Sequence, residues 1–495
     1  MKTLRIFLIL SFVSLFPLSC VELEVENLNS PDVKRVISTP DDLEGVVRGA
    51  FVQYYNGLYS VSTSPNIHLD GLADCMTTTN AFSRFWDFTN EPRVRINNTL
   101  TYSGLPVIQR VWRQAHAVVS SANDVLDAIE NRGIDPGEKK AMLLATAYFI
   151  KGIALGDLAN LYDRAFALEP GQPVSEAGLS SYQEILDKAL FNLDKAIEIA
   201  DDNEFTLPDF WFGMEYTNLE FAEVVNSFAA RYVINNGRTP SEYNNEVYQK
   251  VLEYAQNGIS QDLVIETDGN VLFNNYTWIS GLYWYFRIDN RLIAQMSNDP
   301  NYPTRYPIAS AGTAIPATTS NDARFTTDFR YDNRMNAFNI ARGPQLQSTY
   351  FFVRYEQNYL NTNANGPAPL FLKAENDMIR AEANLRLGNL AEAINIVNQS
   401  TRITRGQLPE LTDNSTTEQI AKAIYYEIEV ECLRTGFGIQ YYAMRRRGAL
   451  QEGTPLMFPI PADELVTIGE PNYSFGGVNF AGQVGTSDGT NSWDQ

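Results

Sequence analysis

The sequence predicts a mostly α-helical protein in which a tetratricopeptide-like scaffold of helical hairpins packs against an irregular, loop-rich part with few short strands. Three observations carry this prediction. Apolar residues recur at helical spacing, mainly through residues 107–258 and 370–434. Small residues stand where paired helices have to approach closely, as in repeat hairpins. Residues 60–106 and 274–368 show neither helical nor strand periodicity, and the second stretch is rich in aromatic residues, Pro, Gly, Ser, Thr and Asn.

The first helix is expected from Pro40 through Tyr55. Pro40 suits a helix start, and Thr39 or Asp41 caps its free amides. Residues 60–106 follow as a long loop, and loops of that length in a folded protein usually carry function. Within it, Trp86 with Arg84 and Asn80 suits a sugar: a flat apolar face for the C–H side of a pyranose, and polar neighbours for its hydroxyls. The same group serves a peptide, and Trp86 as a plug in the core is the competing reading. Two helices are expected at 107–131 and 135–162, split by Asn131-Arg132-Gly133 and restarted at Asp135-Pro136. Ala145, Ala147, Ala154 and Leu155 are spaced there for close helix contact. A repeat-like helix at 180–200 places Ala189 and Ala196 seven apart, and 219–236 with 241–258 adds another pair.

The middle changes character. Tyr276, Trp278, Tyr283, Trp284, Tyr285 and Phe286 form the densest aromatic run in the chain. Aromatics in irregular loops on a helical scaffold suggest a recognition surface, although six large rings cannot all face water. Tyr276, Trp278 and Trp284 are the ligand-binding candidates, with one of the two tryptophans facing ligand rather than both. The helices then resume. Residues 371–387 form one, Gly388 ends it at the C′ position, and Leu390 to Val397 makes the second arm. Ala393 lies five residues after Gly388, the Gly-to-Ala spacing of a tetratricopeptide unit. A helix at 417–433 carries Glu418, Glu427, Glu429 and Glu431 beside Ile420, Ile424, Ile428 and Leu433. Glu427 and Glu431, four apart, are read as salt-bridge or surface residues. Arg445, Arg446 and Arg447 are read as a solvated basic run at a helix C-terminus, where the dipole favours cations. Phe458-Pro459-Ile460-Pro461 is an extended stop, and residues 476–495 read as coil.

Taken together, Ala381-Glu382-Ala383, Gly388, Glu427, Glu431, Gly436, Arg445-Arg446 and Phe458-Pro459-Ile460-Pro461 with Glu464 resemble the SusD/RagB family of outer-membrane nutrient-binding lipoproteins. Asp322-Ala323-Arg324-Phe325 resembles the family's Asp-Pro-Arg segment, with Ala323 in place of Pro. Ala443 stands where the family usually has Asp before its Arg pair, so no partner for that Asp is carried over. The resemblance implies one SusD-like domain over residues 40–495. It also implies capture of oligosaccharides, without metal, cofactor or chemistry on the ligand, and their delivery to a SusC-like TonB-dependent transporter. The alternatives are a RagB-like peptide-binding uptake component, a tetratricopeptide scaffold that binds only proteins, and a glycosidase.

The N-terminus agrees. Lys2 and Arg5 precede an apolar run over residues 6–15, the pattern of a secretory signal and too short for a permanent bilayer span. Residues 1–19 are assigned to this signal, and residues 20–39 to a tether. Ser19-Cys20 resembles a bacterial lipobox, with Cys20 as the lipidated residue and Pro17 where Leu is usual. Glu22, Glu24 and Glu26 resemble the surface-export signal of Bacteroidetes lipoproteins, and their alternation with Val21, Leu23 and Val25 also fits an edge strand. An outer-membrane, lipid-anchored and surface-exposed location follows as the expectation. No second apolar run is expected to approach membrane-spanning length.

Composition narrows the field further. A net charge of −21 opposes a nucleic-acid backbone. Beyond Cys20 only Cys75 and Cys432 remain, read as free or buried thiols, so neither a disulfide framework nor a Cys-rich metal site is expected. A His base is available only from His68 or His116, and His116 reads as a packing residue within its helix. No phosphate loop and no His-Glu-x-x-His motif occurs. A facing pair of glycosidase carboxylates leaves no sequence signature.

Overall fold

Helical periodicity becomes an unbroken stack of paired helices in the computed structural model, which describes residues 39–59, 63–172, 176–209, 211–355, 365–480 and 482–487. The signal, Cys20, the acidic stretch after it and the last eight residues lie outside the described residues. The chain runs through α1 (Pro40–Tyr59), α2 (Asn66–Leu72), α3 (Phe85–Thr89), α4 (Leu105–Leu126), α5 (Lys140–Leu161), α6 (Tyr182–Asp202), α7 (Asn218–Asn236) and α8 (Asn245–Gln256). After α9 (Asn275–Ser280), α10 (Asn290–Met296) and α11 (Arg324–Asp328), it returns to helix hairpins. These are α12 (Lys373–Arg386), α13 (Leu390–Gln399), α14 (Thr401–Thr404), α15 (Thr417–Val430), α16 (Ile439–Arg447) and α17 (Ala462–Thr467).

Each helix of the scaffold packs on the next: α1 on α4, then α4, α5, α6, α7 and α8 in succession. Helix α8 then packs directly on α12, so the stack continues across more than a hundred intervening residues. Those residues form the loop-rich part, joined to the stack at a neck where β6 (Leu263–Thr267) pairs antiparallel with β10 (Gly366–Phe371). The other strands also occur only as two-stranded antiparallel pairs among the described residues: β1 (Met76–Thr78) with β7 (Phe286–Ile288), β2 (Arg164–Phe166) with β3 (Leu179–Ser181), β4 (Thr206–Leu207) with β5 (Tyr216–Thr217), and β8 (Phe329–Tyr331) with β9 (Tyr350–Phe352).

Local signals set the helix ends. Thr39 and Asp42 exchange bonds at the start of α1, Thr39 Oγ1 accepting from the Asp42 amide at 3.2 Å and Asp42 Oδ2 accepting from the Thr39 amide at 2.9 Å. Reciprocal capping boxes open α6 (Ser181 and Glu184), α7 (Thr217 and Glu220) and α15 (Thr416 and Gln419). Gly388 has φ +85°, the left-handed conformation expected of a C′ residue.

Helix α5 is the axis of the main core, with 83% of its apolar window buried. The expectation that no second run reaches membrane-spanning length is corrected here. Residues 137–161 are long and apolar enough by length and composition, but five neighbouring elements cover them. Gly152 and Gly156 permit this packing: a Cβ at Gly156 would lie 2.6 Å from the Tyr232 ring of α7. Ala145, Ala147 and Ala154, Ala189 and Ala196 are fully buried, as their spacing predicted. A second core forms among α12, α13, α15 and α16 around Met378, Ile424 and Ile439.

Asp157 of α5 sits in the main core at 5% exposure. Burial pushes its carboxyl up to about 7, partly offset by hydrogen bonds from Tyr54 and Tyr232 and the charge of Arg231. Below pH ~4 the group is protonated in both folded and unfolded chains. As pH rises from ~4 to ~7 the unfolded chain releases the proton while the folded chain holds it, so stability falls across that window. Asp157→Asn is therefore expected to raise stability by ~2 kcal/mol at pH 8 and by nothing at pH 4, read from urea midpoints at the two pH values.

Charge is also buried in pairs. Arg93, Arg287, Arg324, Arg434 and Arg445 are among the largest fully buried side chains. Arg324 bonds Asp322 at 2.8 Å, Glu427 at 2.7 Å and Glu431 at 3.0 Å. The basic run of α16 is not solvated, which corrects that expectation: Arg445 is 1% and Arg446 6% exposed. Arg446 pairs with Glu382 at 2.6 Å and Arg447 with Glu429 at 2.8 Å. Arg445 donates to the carbonyls of Asn160 and Leu456 at 3.0 and 2.7 Å. These arginines tie the motif helices together because each removed partner would leave a buried charge. Cys75 and Cys432 are free and buried.

Candidate functional site

The aromatic run folds around a tight turn. Asn274 caps α9 by accepting from the Thr277 amide, Gly281 closes the helix, and the Tyr285 amide donates to the Leu282 carbonyl at 2.8 Å. The chain then enters β7 (Phe286–Ile288), which pairs with β1 (Met76–Thr78). This geometry sorts the rings. Tyr276 points inward from α9, Trp278 packs beside Ala368 and Tyr355, and Tyr283 and Trp284 stand at the apex.

Trp284 is 46% exposed, and its ring stands perpendicular to that of Tyr283, with centroids 4.8 Å apart. The two rings line a cavity of about 610 Å³ together with Arg330, Asp332, Asn333, Arg334 and Phe351. Arg334 lies 3.5 Å over the Tyr283 ring and bonds both carboxylate oxygens of Asp332 through Nε at 2.9 Å. Burial alone would raise Asp332, but hydrogen bonds from Arg334 and the nearby Arg287 charge hold it below its ordinary value. The combination is a fixed apolar face flanked by charged donors and acceptors, which can stack on a sugar ring and bond its hydroxyls.

Arg287, on β7, holds this site from behind. Fully buried, it donates to the Tyr283 carbonyl at 2.9 Å, to the Asp332 carbonyl at 3.1 Å and to the Arg334 carbonyl at 3.0 Å. One guanidinium thus joins the turn to the opposite wall. A lysine has the charge but not the fork. Arg287→Lys is expected to lower stability by ~2 kcal/mol and weaken ligand binding about fivefold, checked by urea unfolding and calorimetry. Sequence reasoning missed Arg287, whose one visible signal was a lone arginine in an otherwise aromatic and apolar strand.

The six candidates named from sequence divide. Asn80 and Trp284 are brought together, since Asn80 Nδ2 donates to the Trp284 carbonyl at 3.2 Å. Asn80 Oδ1 accepts from the Phe82 amide at 2.9 Å, so Asn80 positions the turn and its amide is occupied. Arg84 is exposed, with φ +57°, just before α3. Trp86 is partly buried against the core, with Arg342 5.5 Å from its ring. Trp278 is partly buried against the core as well. Tyr276 is 4% exposed: its hydroxyl donates to Asp70 at 3.1 Å and Arg434 lies 4.0 Å over its ring. The ligand-facing expectation for Tyr276 is thereby corrected, because the inner face of α9 carries it into a buried ion network. Of the two tryptophans, Trp284 is the presented one. His116 packs 4.5 Å from Trp112. No group of three or more His, Cys, Asp or Glu placed to hold a metal occurs among the described residues.

No protein-family model and no curated protein matches the chain. Solved structures do. A SusD superfamily protein from Bacteroides vulgatus ATCC 8482 is 14% identical with a TM-score of 0.60, over 87% of this chain and 97% of that one. A SusD homolog from Bacteroides thetaiotaomicron VPI-5482 is 12% identical with a TM-score of 0.61, over 84% and 88%. A SusD-like carbohydrate binding protein from Bacteroides vulgatus ATCC 8482 is 15% identical with a TM-score of 0.56, over 83% of each chain. The fold is therefore that of the SusD superfamily, a helical scaffold bearing an irregular loop-rich part.

Proposed function

We propose that this protein is a cell-surface lipoprotein that captures oligosaccharides on the Trp284–Tyr283 face and passes them to a SusC-like TonB-dependent outer-membrane transporter. The observation that carries the reading is the exposed Trp284 ring, perpendicular to the half-buried Tyr283 ring, beside Arg330, Asn333 and Arg334. It is supported by the fold, two of whose similar structures are described as SusD-like carbohydrate binding proteins. Binding uses ring stacking and hydrogen bonds, and the ligand leaves unaltered. The anchor is the lipid on Cys20, which holds the protein at the outer membrane.

Calorimetry against oligosaccharides and peptides, with a parallel assay for new reducing ends, tests this. Sugar binding without product is expected; product release would make the protein a glycosidase. Peptide-only binding would favour the second reading, a peptide or protein scaffold. A specific feature supports that alternative: an apolar groove of about 470 Å³ among α6, α7 and α8, lined by Leu186, Leu190, Val233, Tyr243 and Val247. The anchor is tested separately by fatty-acid labelling, expected to be lost in Cys20→Ala.

A further inference from the structure

A second crevice lies on the seam between the loop-rich part and the last helices, and it shares no lining residue with the aromatic face. Its volume is about 830 Å³, within the ~300–1,000 Å³ usual for small-ligand sites. One wall comes from α10 and the chain after it, and from residues 320–322. The other comes from Arg402 in α14, residues 408–415 and the early turns of α15. Arg324 fixes the separation of the walls, since it bonds Asp322 on one side and Glu427 on the other.

The lining has two notable properties. Its charged residues carry both signs in equal number, Arg291, Arg402 and Lys422 against Asp299, Asp322 and Glu410. Arg291 pairs with Asp74, Asp289 and Glu91 at 2.9, 2.8 and 3.1 Å, and Asp322 pairs with Arg324. Amides and hydroxyls lie between them, at Asn298, Thr304, Ser320, Asn321 and Asn414. The second property is a set of orphaned groups. Gln295 Oε1, Arg291 Nη1 and Arg402 Nε are buried without a hydrogen-bond partner among the described residues. Arg402 makes no ion pair among the described residues, and burial draws its guanidinium below its ordinary value. Buried polar groups nearly always have partners, so three such atoms around one crevice call for a ligand that both donates and accepts. Tyr426 supplies a ring whose orientation is fixed by its hydroxyl, donating to Asp322 at 2.8 Å.

We propose that this crevice is a second carbohydrate site, taking one or two neutral sugar units independently of the Trp284 face. The choice of a sugar as its ligand rests on the glycan-binding reading above. A lining without net charge gives an ionised ligand no advantage, whereas a polyol can satisfy the orphaned acceptor of Gln295 and the orphaned donors of Arg291 and Arg402 together. Because both walls contribute, occupancy joins the loop-rich part to the helical stack.

The test titrates the protein and the variants Trp284→Ala, Asn321→Trp and Arg402→Gln with maltotriose, cellotriose, xylotriose and trigalacturonic acid. Asn321 is exposed and its side chain makes no hydrogen bond among the described residues, so a tryptophan there fills the crevice without entering the core. An unchanged unfolding midpoint confirms that each variant folds. The expected result is two sites for a neutral trisaccharide: one lost in Asn321→Trp and weakened about tenfold in Arg402→Gln, the other lost in Trp284→Ala. A single site abolished by Trp284→Ala and untouched by Asn321→Trp overturns the crevice and leaves the aromatic face standing. A single site with the opposite behaviour supports the crevice and overturns the aromatic face. Crevice binding restricted to trigalacturonic acid overturns the neutral-sugar assignment, and no binding of any sugar overturns both sites.

Discussion

Replacing Arg324 by alanine is expected to lower stability by about 3–5 kcal/mol, the cost of leaving buried carboxylates without their cation. The side chain is 1% exposed and meets three acids, Asp322, Glu427 in α15 and Glu431 just past its end. Burial raises Glu427, only partly offset by Arg324, while Glu431 is held below its ordinary value despite burial by Arg354, Arg405 and Arg324. Of the two glutamates, Glu427 thus depends more on Arg324. Adding Glu427→Gln to Arg324→Ala should recover part of the loss, because a neutral amide tolerates the site better than an unpaired charge. Urea unfolding of the single and double variants checks both statements. A loss below 1 kcal/mol in Arg324→Ala would show that the cluster is not a structural joint.

Trp284→Ala is expected to weaken oligosaccharide binding about a hundredfold, ~2.7 kcal/mol, as for an aromatic anchor at a binding hot spot. The unfolding midpoint should not move, because nearly half of the ring surface faces solvent and its removal opens no cavity in the core. Trp278→Ala should behave in the reverse way. Its ring packs on the core beside Ala368 and Tyr355, so stability falls and the intrinsic affinity of the folded fraction persists. Calorimetry and thermal unfolding on the two variants separate a binding ring from a packing ring.

The helical stack was legible because its signals are local. Apolar residues at helical spacing, a Gly at the C′ position and Ala at seven-residue spacing all act within one or two turns, and they marked α6, α7, α12 and α13 to within a few residues. The exposed apex at Trp284 was legible only as membership of an aromatic run. Which ring faces outward depends on where α9 stops and the turn begins, and a six-residue helix is too short for periodicity to fix. The basic run of α16 was misread for a related reason. Arg446 meets Glu382 across 64 residues of chain. A charge run looks solvated until the fold brings an acid to it. Arg287 escaped altogether because its hydrogen bonds go to backbone carbonyls, which every residue possesses.

The two-stranded neck at β6 and β10 has one more consequence. The chain between Thr267 and Gly366 leaves and re-enters the helical stack between these two strands, and α8 meets α12 directly beside them. It is fastened again by the β1–β7 pairing and by the Arg324–Glu427 ion pair. Insertions or deletions in its exposed turns that spare these fastenings therefore leave the helix register untouched, and a chimera exchanged between Thr267 and Gly366 should fold on the recipient scaffold only where β1 and the acids facing Arg324 are matched.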